Sequence, residues 1–188
     1  MNQKSILLID NYDSFTFTIC DYLKQCGANV RVLDRNRVTL SDIQQSDGVV
    51  ISPGPGNPVR MPGLLELTRI AIEQKPVLGI CLGFQAMAAT YGLEIIQGKP
   101  MHGKISRVFF QSPNPILENI RNGLDVVRYH SLQVKEVIPP FQVLLQADSG
   151  EIMGIAHQFR PAFGLQFHPE AYLSQSGLCF FQNWLKMC

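Results

Sequence analysis

Short, largely apolar runs alternate with helical patterns through the first half of the chain, and this alternation limits the fold more than any other feature. Between the runs, apolar residues recur at helical spacing, as in residues 63–74. Runs with no polar face are typical of strands that are covered on both sides. The alternation predicts an α/β fold with an open, mostly parallel central sheet and helices on both faces. The strand-like runs lie at residues 5–9, 29–33, 48–51 and 76–80.

The first helix pattern follows the first of these runs. We expect Ser14 to cap a helix that ends at Gly27, because serine accepts from free N–H groups and glycine tolerates the left-handed conformation. The spacing of the apolar residues predicts one inward stripe on this helix. Its members are Phe15, Ile19, Tyr22, Leu23 and Cys26.

The second half of the chain reads differently, with strand-like segments and few helices between them. This pattern predicts additional antiparallel strands, added to the central sheet or placed beside it. A closing helix is expected over residues 177–186, with Leu178, Phe181 and Leu185 facing inward. The expected strands are residues 105–110, 124–129, 142–147, 152–157 and 163–167.

Composition bounds the class of protein. The 188 residues suit one domain, 1–188, and 46% hydrophobic content excludes disorder as the main state. The net charge of +1 provides no footprint for nucleic acid or an anionic membrane. No apolar run is long enough for a membrane span or a secretory signal, so a cytoplasmic location is expected. Five cysteines without a CxxC pair predict neither a disulfide framework nor a metal site, and no cofactor is expected.

The segment Gly79-Ile80-Cys81-Leu82-Gly83 places a cysteine between a buried strand and a helical stretch, 84–91. A nucleophile on so sharp a turn has a strained backbone, and flanking glycines remove Cβ clashes. The following helix N-terminus would stabilise the thiolate, with the Leu82 N–H as the natural donor to an oxyanion. The same pattern also fits a buried, inert cysteine between helix-packing glycines.

The segment His168-Pro169-Glu170 supplies a base and a carboxylate. Proline favours an extended backbone at the residue before it, and residues two apart in an extended segment face the same side. Glu170 would then hold the imidazole of His168, and together with Cys81 they would form a nucleophile triad. Taken alone, a histidine beside a strand end is more often structural.

A glycine- and proline-rich loop, Ser52-Pro53-Gly54-Pro55-Gly56, leaves the carboxyl end of the third apolar run. Ligands of open α/β sheets bind at this edge, and glycines let the backbone come close to them. The N–H groups of the loop are candidates to complete an oxyanion hole. The alternative is an ordinary surface loop.

Taken together, these motifs resemble those of the class I (triad-type) glutamine amidotransferases. Within them, the chain is similar to the glutaminase subunits of the chorismate-using group, anthranilate synthase component II and 4-amino-4-deoxychorismate synthase. The resemblance covers essentially the whole chain. It includes three further strings, DNYDSFT at residues 10–16, MHGK at 101–104 and YHSL at 129–132.

The resemblance implies a role for each motif. Cys81 would be the nucleophile, His168 the general base and then acid, and Glu170 the group that orients the imidazole. The loop Met101, His102, Gly103 and Lys104 would face a partner synthase. Glutamine binding and the oxyanion hole would be supplied by Gly54, Pro55, Gly56, Leu82, Gln85, Ser131 and Leu132.

Two positions depart from the family pattern. The family usually has histidine where this chain has Phe84, and often serine where it has Ala171. Neither position belongs to the triad, so the departures bear on partner signalling or on positioning near the nucleophile.

The function implied is hydrolysis of glutamine to glutamate, with ammonia delivered to a separate chorismate-binding synthase subunit that makes anthranilate, 4-amino-4-deoxychorismate or both. The chain has no residues left over for a chorismate-binding domain, so the synthase is expected to be another chain. Two alternatives stay open at this point: a stand-alone cysteine γ-glutamyl hydrolase, and a binding subunit that has lost turnover.

Overall fold

A computed structural model describes residues 3–188 of the chain. This range contains five α-helices and eleven strands. In the first half of the chain strands and helices alternate, as predicted from the sequence. The helices are α1 (Thr16–Gln25), α2 (Leu40–Gln44), α3 (Leu64–Gln74), α4 (Leu82–Thr90) and α5 (Gly177–Leu185). The strands are β1 (Ser5–Asp10), β2 (Asn29–Asp34), β3 (Gly48–Ile51), β4 (Val77–Ile80), β5 (Ile95–Gln97), β6 (Lys104–Phe110), β7 (Leu124–Arg128), β8 (Leu132–Val134), β9 (Phe141–Ala147), β10 (Ile152–His157) and β11 (Ala162–Leu165).

Nine of the strands in the described range form one sheet, in the order β2-β1-β3-β4-β11-β10-β9-β6-β7. The neighbours from β2 to β11 are parallel. From β11 to β7 every neighbouring pair is antiparallel. The prediction of a parallel central sheet with added antiparallel strands is therefore confirmed. β11 joins the two parts, since it runs parallel to β4 and antiparallel to β10.

Helices cover both faces of the parallel part, as predicted. Alternate residues of β1 point to opposite sides, so Ile6 and Leu8 join one apolar cluster while Leu7 and Ile9 join the other. The first cluster includes the buried faces of α1 and α5, and the second includes those of α2, α3 and α4. This double covering explains why the parallel strands read as apolar runs.

The start of the first helix differs from the prediction. α1 begins at Thr16, and Ser14 is exposed rather than a cap. The Asp10 carboxylate organises this turn instead, accepting from the N–H of Tyr12 and from the hydroxyl of Thr16. It reaches them from the end of β1, a tertiary position that helix spacing alone does not indicate. The predicted stripe is otherwise sound at Ile19 and Leu23, which are fully buried.

The closing helix faces the core with a different set of side chains. Leu178, predicted to point inward, is 37% exposed, whereas Phe180, Phe181 and Trp184 are fully buried. Phe181 and Leu185 face inward as predicted. The error is one of helical phase, because this helix is apolar on most of its surface and offers more than one stripe. No helix within residues 3–188 is both long and apolar enough to cross a lipid bilayer.

A small second sheet, β5 paired antiparallel with β8, was not expected from the sequence. Both strands are three residues long, too short for periodicity to reveal them. The sheet matters for function because β8 begins at Leu132, the last residue of the YHSL string.

Candidate active site

Cys81 occupies a sharp turn between β4 and α4. Its φ of 51° lies in the left-handed region, which L-residues rarely adopt. The Cys81 N–H donates to the Leu165 carbonyl of β11 over 2.8 Å, which fixes the turn to the centre of the sheet. The strained turn predicted for this residue is therefore present, and it sets Cys81 at the N-terminus of a helix. Free N–H groups and the helix dipole favour a negative sulfur at that position.

The two glycines that flank the cysteine are required by packing. A Cβ on Gly79 would lie 2.6 Å from the Gly83 backbone carbon, and one on Gly83 would lie 2.2 Å from the Ile51 carbonyl oxygen. The turn closes only because β4, α4 and the end of β3 come this near to one another. Both flanking positions thus exclude a side chain, and at Gly83 the excluding group is the Ile51 carbonyl.

His168 and Glu170 are paired, but through a turn rather than an extended segment. β11 ends at Leu165, before the predicted limit at residue 167, and the Ala171 N–H donates to the His168 carbonyl over 3.2 Å. Within this turn the Nδ1 of His168 lies 2.7 Å from Oε1 of Glu170. Both residues are 2% exposed. The pair is therefore desolvated, which strengthens its electrostatic interaction.

The environment of His168 favours the protonated imidazole. Burial alone would lower its pKa, but the sulfur of Cys81 and the carboxylate of Glu170 outweigh burial and raise the pKa to about 10. The rings of Phe15 and Tyr129 pack against the imidazole, with centroids 5.0 Å and 5.3 Å away. His168 Nε2 has no hydrogen-bond partner among the described residues. It is thus free to exchange a proton with the sulfur or with a ligand.

Most of the predicted glutamine-binding residues surround a single cavity of about 130 Å³. This volume is well below that of sites for drug-sized ligands, so the cavity suits a ligand no larger than an amino acid. Leu82 is not among the lining residues, although its N–H stands in the first turn of α4 beside Cys81. The lining is formed by Gly54, Pro55, Gly56, Cys81, Gln85, Tyr129, His130, Ser131 and Leu132.

The loop at residues 52–56 is anchored by Asn11, a residue of the DNYDSFT string. Asn11 is fully buried, its N–H donates to the Ser52 hydroxyl over 2.9 Å, and its Nδ2 donates to the Ser52 carbonyl over 3.0 Å. A Cβ on Gly54 would lie 2.7 Å from both Asn11 and Leu82. The loop therefore packs directly against the first turn of α4, which brings its backbone to the cysteine.

The YHSL string forms the opposite wall through a network of hydrogen bonds. Arg128 is 1% exposed, and its Nε donates to His130 Nε2 over 3.1 Å. A guanidinium can only donate, so the imidazole proton of His130 resides on Nδ1, which donates to the Leu132 carbonyl over 2.9 Å. Burial, followed by the charge of Arg128, lowers the pKa of His130 to about 4. His130 is therefore a neutral structural group near the site.

The MHGK loop is attached to the same wall. The Met101 N–H donates to the His130 carbonyl over 2.9 Å, and Gly103 lies against the ring of Tyr129. His102 and Gly103 are exposed, and so is Lys104, which is the first residue of β6 rather than part of the predicted loop. The loop thus combines a free surface with a direct backbone connection to the cavity.

The two family departures lie outside the cavity. Phe84 is fully buried in the core between α4 and the sheet, where a Cβ on Gly164 would lie 2.8 Å from its ring. Ala171 is buried behind the His168–Glu170 turn. Neither side chain lines the space beside Cys81.

Several polar residues at the site received no role from the sequence, including Tyr129 and His130 of the cavity lining. Three others are at most 1% exposed: Asn11, Arg128 and Gln166. All three lie in or beside strings that carry the family resemblance, and a buried polar residue beside a candidate nucleophile is the signal that identifies them. In the sequence alone nothing shows that they are buried.

Comparisons with known proteins agree with this geometry. The family model of class-I glutamine amidotransferases matches residues 7–188. Aminodeoxychorismate synthase component 2 of Klebsiella aerogenes is 42% identical over 185 residues, which cover 96% of this chain and 98% of that protein. The pyocyanine-specific anthranilate synthase component 2 of Pseudomonas aeruginosa is 42% identical over 190 residues, covering 97% and 94%.

Longer relatives and solved structures also match. The chain spans 32% of the bifunctional protein TrpGD of Thermotoga maritima, to which it is 34% identical over 191 residues, 98% of this chain. The crystal structure of a glutamine amidotransferase from Thermotoga maritima superimposes with a TM-score of 0.78 at 21% identity, covering 91% of this chain and 78% of that one. At that identity the similarity is evidence of a shared fold alone. From the family match and the curated relatives, the chain belongs to the class-I glutamine amidotransferases.

Proposed function

We propose that this chain is the glutaminase subunit of a heteromeric enzyme that amidates chorismate. The observation that carries the proposal is the strained turn at Cys81, which opens into a cavity of amino-acid size beside the buried His168–Glu170 pair. Family membership and the relatives named as component 2 of aminodeoxychorismate synthase and of anthranilate synthase support the same reading.

Glutamine would lie in the cavity with its side-chain amide toward Cys81. Gly54, Gly56 and Ser131 offer backbone or hydroxyl groups around it. Gln85 uses its Nε2 within the protein, donating to the Leu132 carbonyl and to Gln166, so its Oε1 is the atom left for a ligand. An acceptor of this kind suits the α-ammonium of an amino acid.

The first half of the reaction is acyl transfer. The Cys81 thiolate attacks the side-chain carbonyl carbon of glutamine, and the oxyanion is held by the N–H of Leu82 and by a glycine N–H of the 52–56 loop. Loss of one such donor typically costs about 2.7–4 kcal/mol of transition-state stabilisation. When the C–N bond breaks, the His168 imidazolium gives its proton to the departing nitrogen, so ammonia leaves and a γ-glutamyl thioester remains.

The second half is hydrolysis of the thioester. His168, now neutral, takes a proton from water, and the resulting hydroxide attacks the thioester carbonyl. The C–S bond breaks, glutamate leaves, and the sulfur returns to the thiolate form. Glu170 holds the imidazole through Nδ1 in both steps, which leaves Nε2 to carry the proton.

The ammonia would be used by a chorismate-binding synthase subunit docked at residues 101–104. The support for this surface is its exposure together with its backbone bond to His130. The product is anthranilate, 4-amino-4-deoxychorismate or both, according to the synthase. We place the enzyme in the cytoplasm, because five free cysteines suit a reducing compartment.

The test of the nucleophile is Cys81→Ser, which replaces the thiol with a hydroxyl of similar size. Glutamine-dependent activity should fall to the background level, while a copurified synthase should still use added ammonia. A glutamine analogue that carries an electrophile should label the parent at Cys81. Cys26→Ser, which changes a half-buried cysteine of another region, is the control and should keep full activity. Glutamine turnover by Cys81→Ser would refute the assignment.

The synthase itself is identified by purifying the native chain from its cell and sequencing the protein that accompanies it. A chorismate-binding synthase subunit is expected. Purification of an active chain with no such partner would favour a stand-alone hydrolase.

A further inference from the structure

Gln166 places an amide next to the candidate nucleophile. Its side chain is fully buried between the end of β11 and His168, and its Nε2 lies 3.8 Å from the sulfur of Cys81, within hydrogen-bonding range for sulfur. The mechanism above gives Gln166 no part. A buried amide has a desolvation penalty unless its hydrogen bonds are made, so its partners indicate what it does.

The orientation of this amide is fixed by its neighbours. The Leu132 carbonyl can only accept, so the group of Gln85 that lies 3.1 Å from it is the nitrogen Nε2. The same nitrogen lies 3.2 Å from Gln166, which must therefore present its oxygen Oε1 there. The remaining end of the Gln166 amide, the NH₂ group, faces the sulfur. The donor at Cys81 thus follows from the network and not from an arbitrary choice of amide flip.

The network continues from the cavity wall into the protein. His130 Nδ1 donates to the same Leu132 carbonyl, and Arg128 holds the other ring nitrogen. Arg128 is itself fixed by the Ser106 hydroxyl at 3.1 Å and by the Glu151 carboxylate at 3.3 Å. Every residue of this hydrogen-bond network is buried or half-buried, so the amide of Gln166 is held in place rather than free to rotate.

We propose that Gln166 is a further catalytic residue, whose amide N–H donates to the Cys81 sulfur and stabilises the thiolate. The proposal rests on the proposed function in one respect, that Cys81 is the nucleophile. Hydrogen bonds to an ionised group are stronger than neutral ones, so the donor favours S⁻ over S–H. The Gln166 amide approaches the sulfur from the residue after β11, and His168 lies in the turn that follows. Both groups would therefore stabilise the negative charge on the sulfur.

The experiment measures alkylation of Cys81 by iodoacetamide across pH, in the whole chain and without glutamine. Mass spectrometry of the peptide that contains Cys81 separates it from the other four cysteines. The titratable groups around the sulfur are His168, Glu170 behind it, and His130 and Tyr129 of the facing wall. These groups are the same in the parent and in the variants. A shift of the alkylation profile along the pH axis is therefore caused by loss of the Gln166 amide.

Gln166→Leu removes the donor at similar volume. The acidic limb of its alkylation profile should move to higher pH, with a rate about tenfold lower on that limb, because a bond to a charged group is lost. The plateau at high pH, where thiols ionise unaided, should stay within about twofold of the parent. Gln166→Met also removes the donor at similar volume without adding a charge, and it should move the limb in the same direction. It serves as the second variant if Gln166→Leu does not fold.

The matched control is Asn183→Leu. Asn183 is also a buried amide, with bonds to the Ile116 and Glu118 carbonyls on the α5 side of the molecule. Its loss should reduce stability without moving the Cys81 profile. The proposal would be overturned if the alkylation profile of Gln166→Leu superimposed on that of the parent, or if only its plateau were lowered. The alkylation readout does not depend on glutamine turnover, so this failure is distinct from a failure of the Cys81→Ser test.

Discussion

At the scale of single residues, the environment of His168 decides how the site responds to pH. An imidazole in water loses its proton near pH 6.5, but the sulfur of Cys81 and the carboxylate of Glu170 raise the pKa of His168 to about 10 despite its burial. A raised pKa keeps the proton on the ring to higher pH. The imidazolium that would protonate the departing nitrogen in the proposed reaction therefore persists through neutral pH and is lost as the pH rises through about 10.

The first prediction is that Glu170→Gln narrows the active pH range from the alkaline side. Without the carboxylate charge, the pKa of His168 falls, and the alkaline limit of glutamine hydrolysis should move down by about one pH unit or more. The pH dependence of kcat/KM, measured on the complex with its synthase, gives this limit. Glu118→Gln, which neutralises a surface carboxylate paired with Lys186, is the control and should leave the limit in place.

An unchanged alkaline limit in Glu170→Gln would show that another group holds the proton on His168. If His168 carries the proton as proposed, His168→Ala should lower activity more than Glu170→Gln at every pH, because Glu170 only orients the imidazole.

At the scale of elements, the active site depends on how closely α4 approaches the sheet. Gly83 lies in the first turn of α4, against the last residue of β3. A side chain there would push the helix away from the strand, and with it the free N–H groups that flank Cys81. The turn at Cys81 is thus held by the packing of β3, β4 and α4, and the position of Cys81 depends on that packing.

The second prediction follows from this contact. Gly83→Ala places a methyl group 2.2 Å from the Ile51 carbonyl oxygen, so it should lower the free energy of unfolding by at least about 2 kcal/mol and reduce glutamine turnover. Gly92→Ala, just beyond the other end of α4, is the control. Its φ is 81° and open space surrounds it, so it should cost about 1 kcal/mol and keep turnover. Urea unfolding and glutamate release measure the two effects, and equal costs at both positions would contradict the packing argument.

The elements that sequence reasoning found and those that it missed differ in physical kind. The parallel strands and the Cys81 turn were predictable, because uniform apolar runs and paired glycines are local consequences of burial and strain. The prediction that Ser14 caps α1 was wrong, because the Asp10 carboxylate at the end of β1 accepts the hydrogen bonds of that turn. The facing of Leu178 was wrong because α5 is apolar on several sides. Arg128 contacts Ser106 and Glu151, and Gln166 contacts Gln85; these partners are distant in the chain, so no spacing reveals them.

At the scale of the whole molecule, the site lies where the parallel and antiparallel parts of the sheet meet. The parallel part supplies Cys81 and the 52–56 loop, at the carboxyl ends of β4 and β3. The segments around His168 and Tyr129 come from the other part, following β11 and β7. A bridge between Val127 and His168 holds the two segments together. A movement of β7 and of the wall that follows it would therefore displace both His168 and the cavity lining.

The last prediction is that a synthase partner activates this chain through that wall. Free ammonia released at neutral pH is mostly protonated, so hydrolysis without a partner wastes glutamine, and the isolated chain should be slow. A partner that presses on residues 101–104 would act through the Met101–His130 backbone bond and the contact of Gly103 with Tyr129. We expect glutamate release to rise at least about tenfold with a chorismate-binding synthase subunit, and further when chorismate is bound, an effect of the size usual for coupling between sites.

Lys104→Glu should lower this activation and leave the basal rate of glutamate release unchanged, whereas Lys24→Glu, on the exposed side of α1, should change neither. Full activity of the isolated chain, unaffected by any such subunit, would remove the amidotransferase-subunit reading and favour a stand-alone hydrolase.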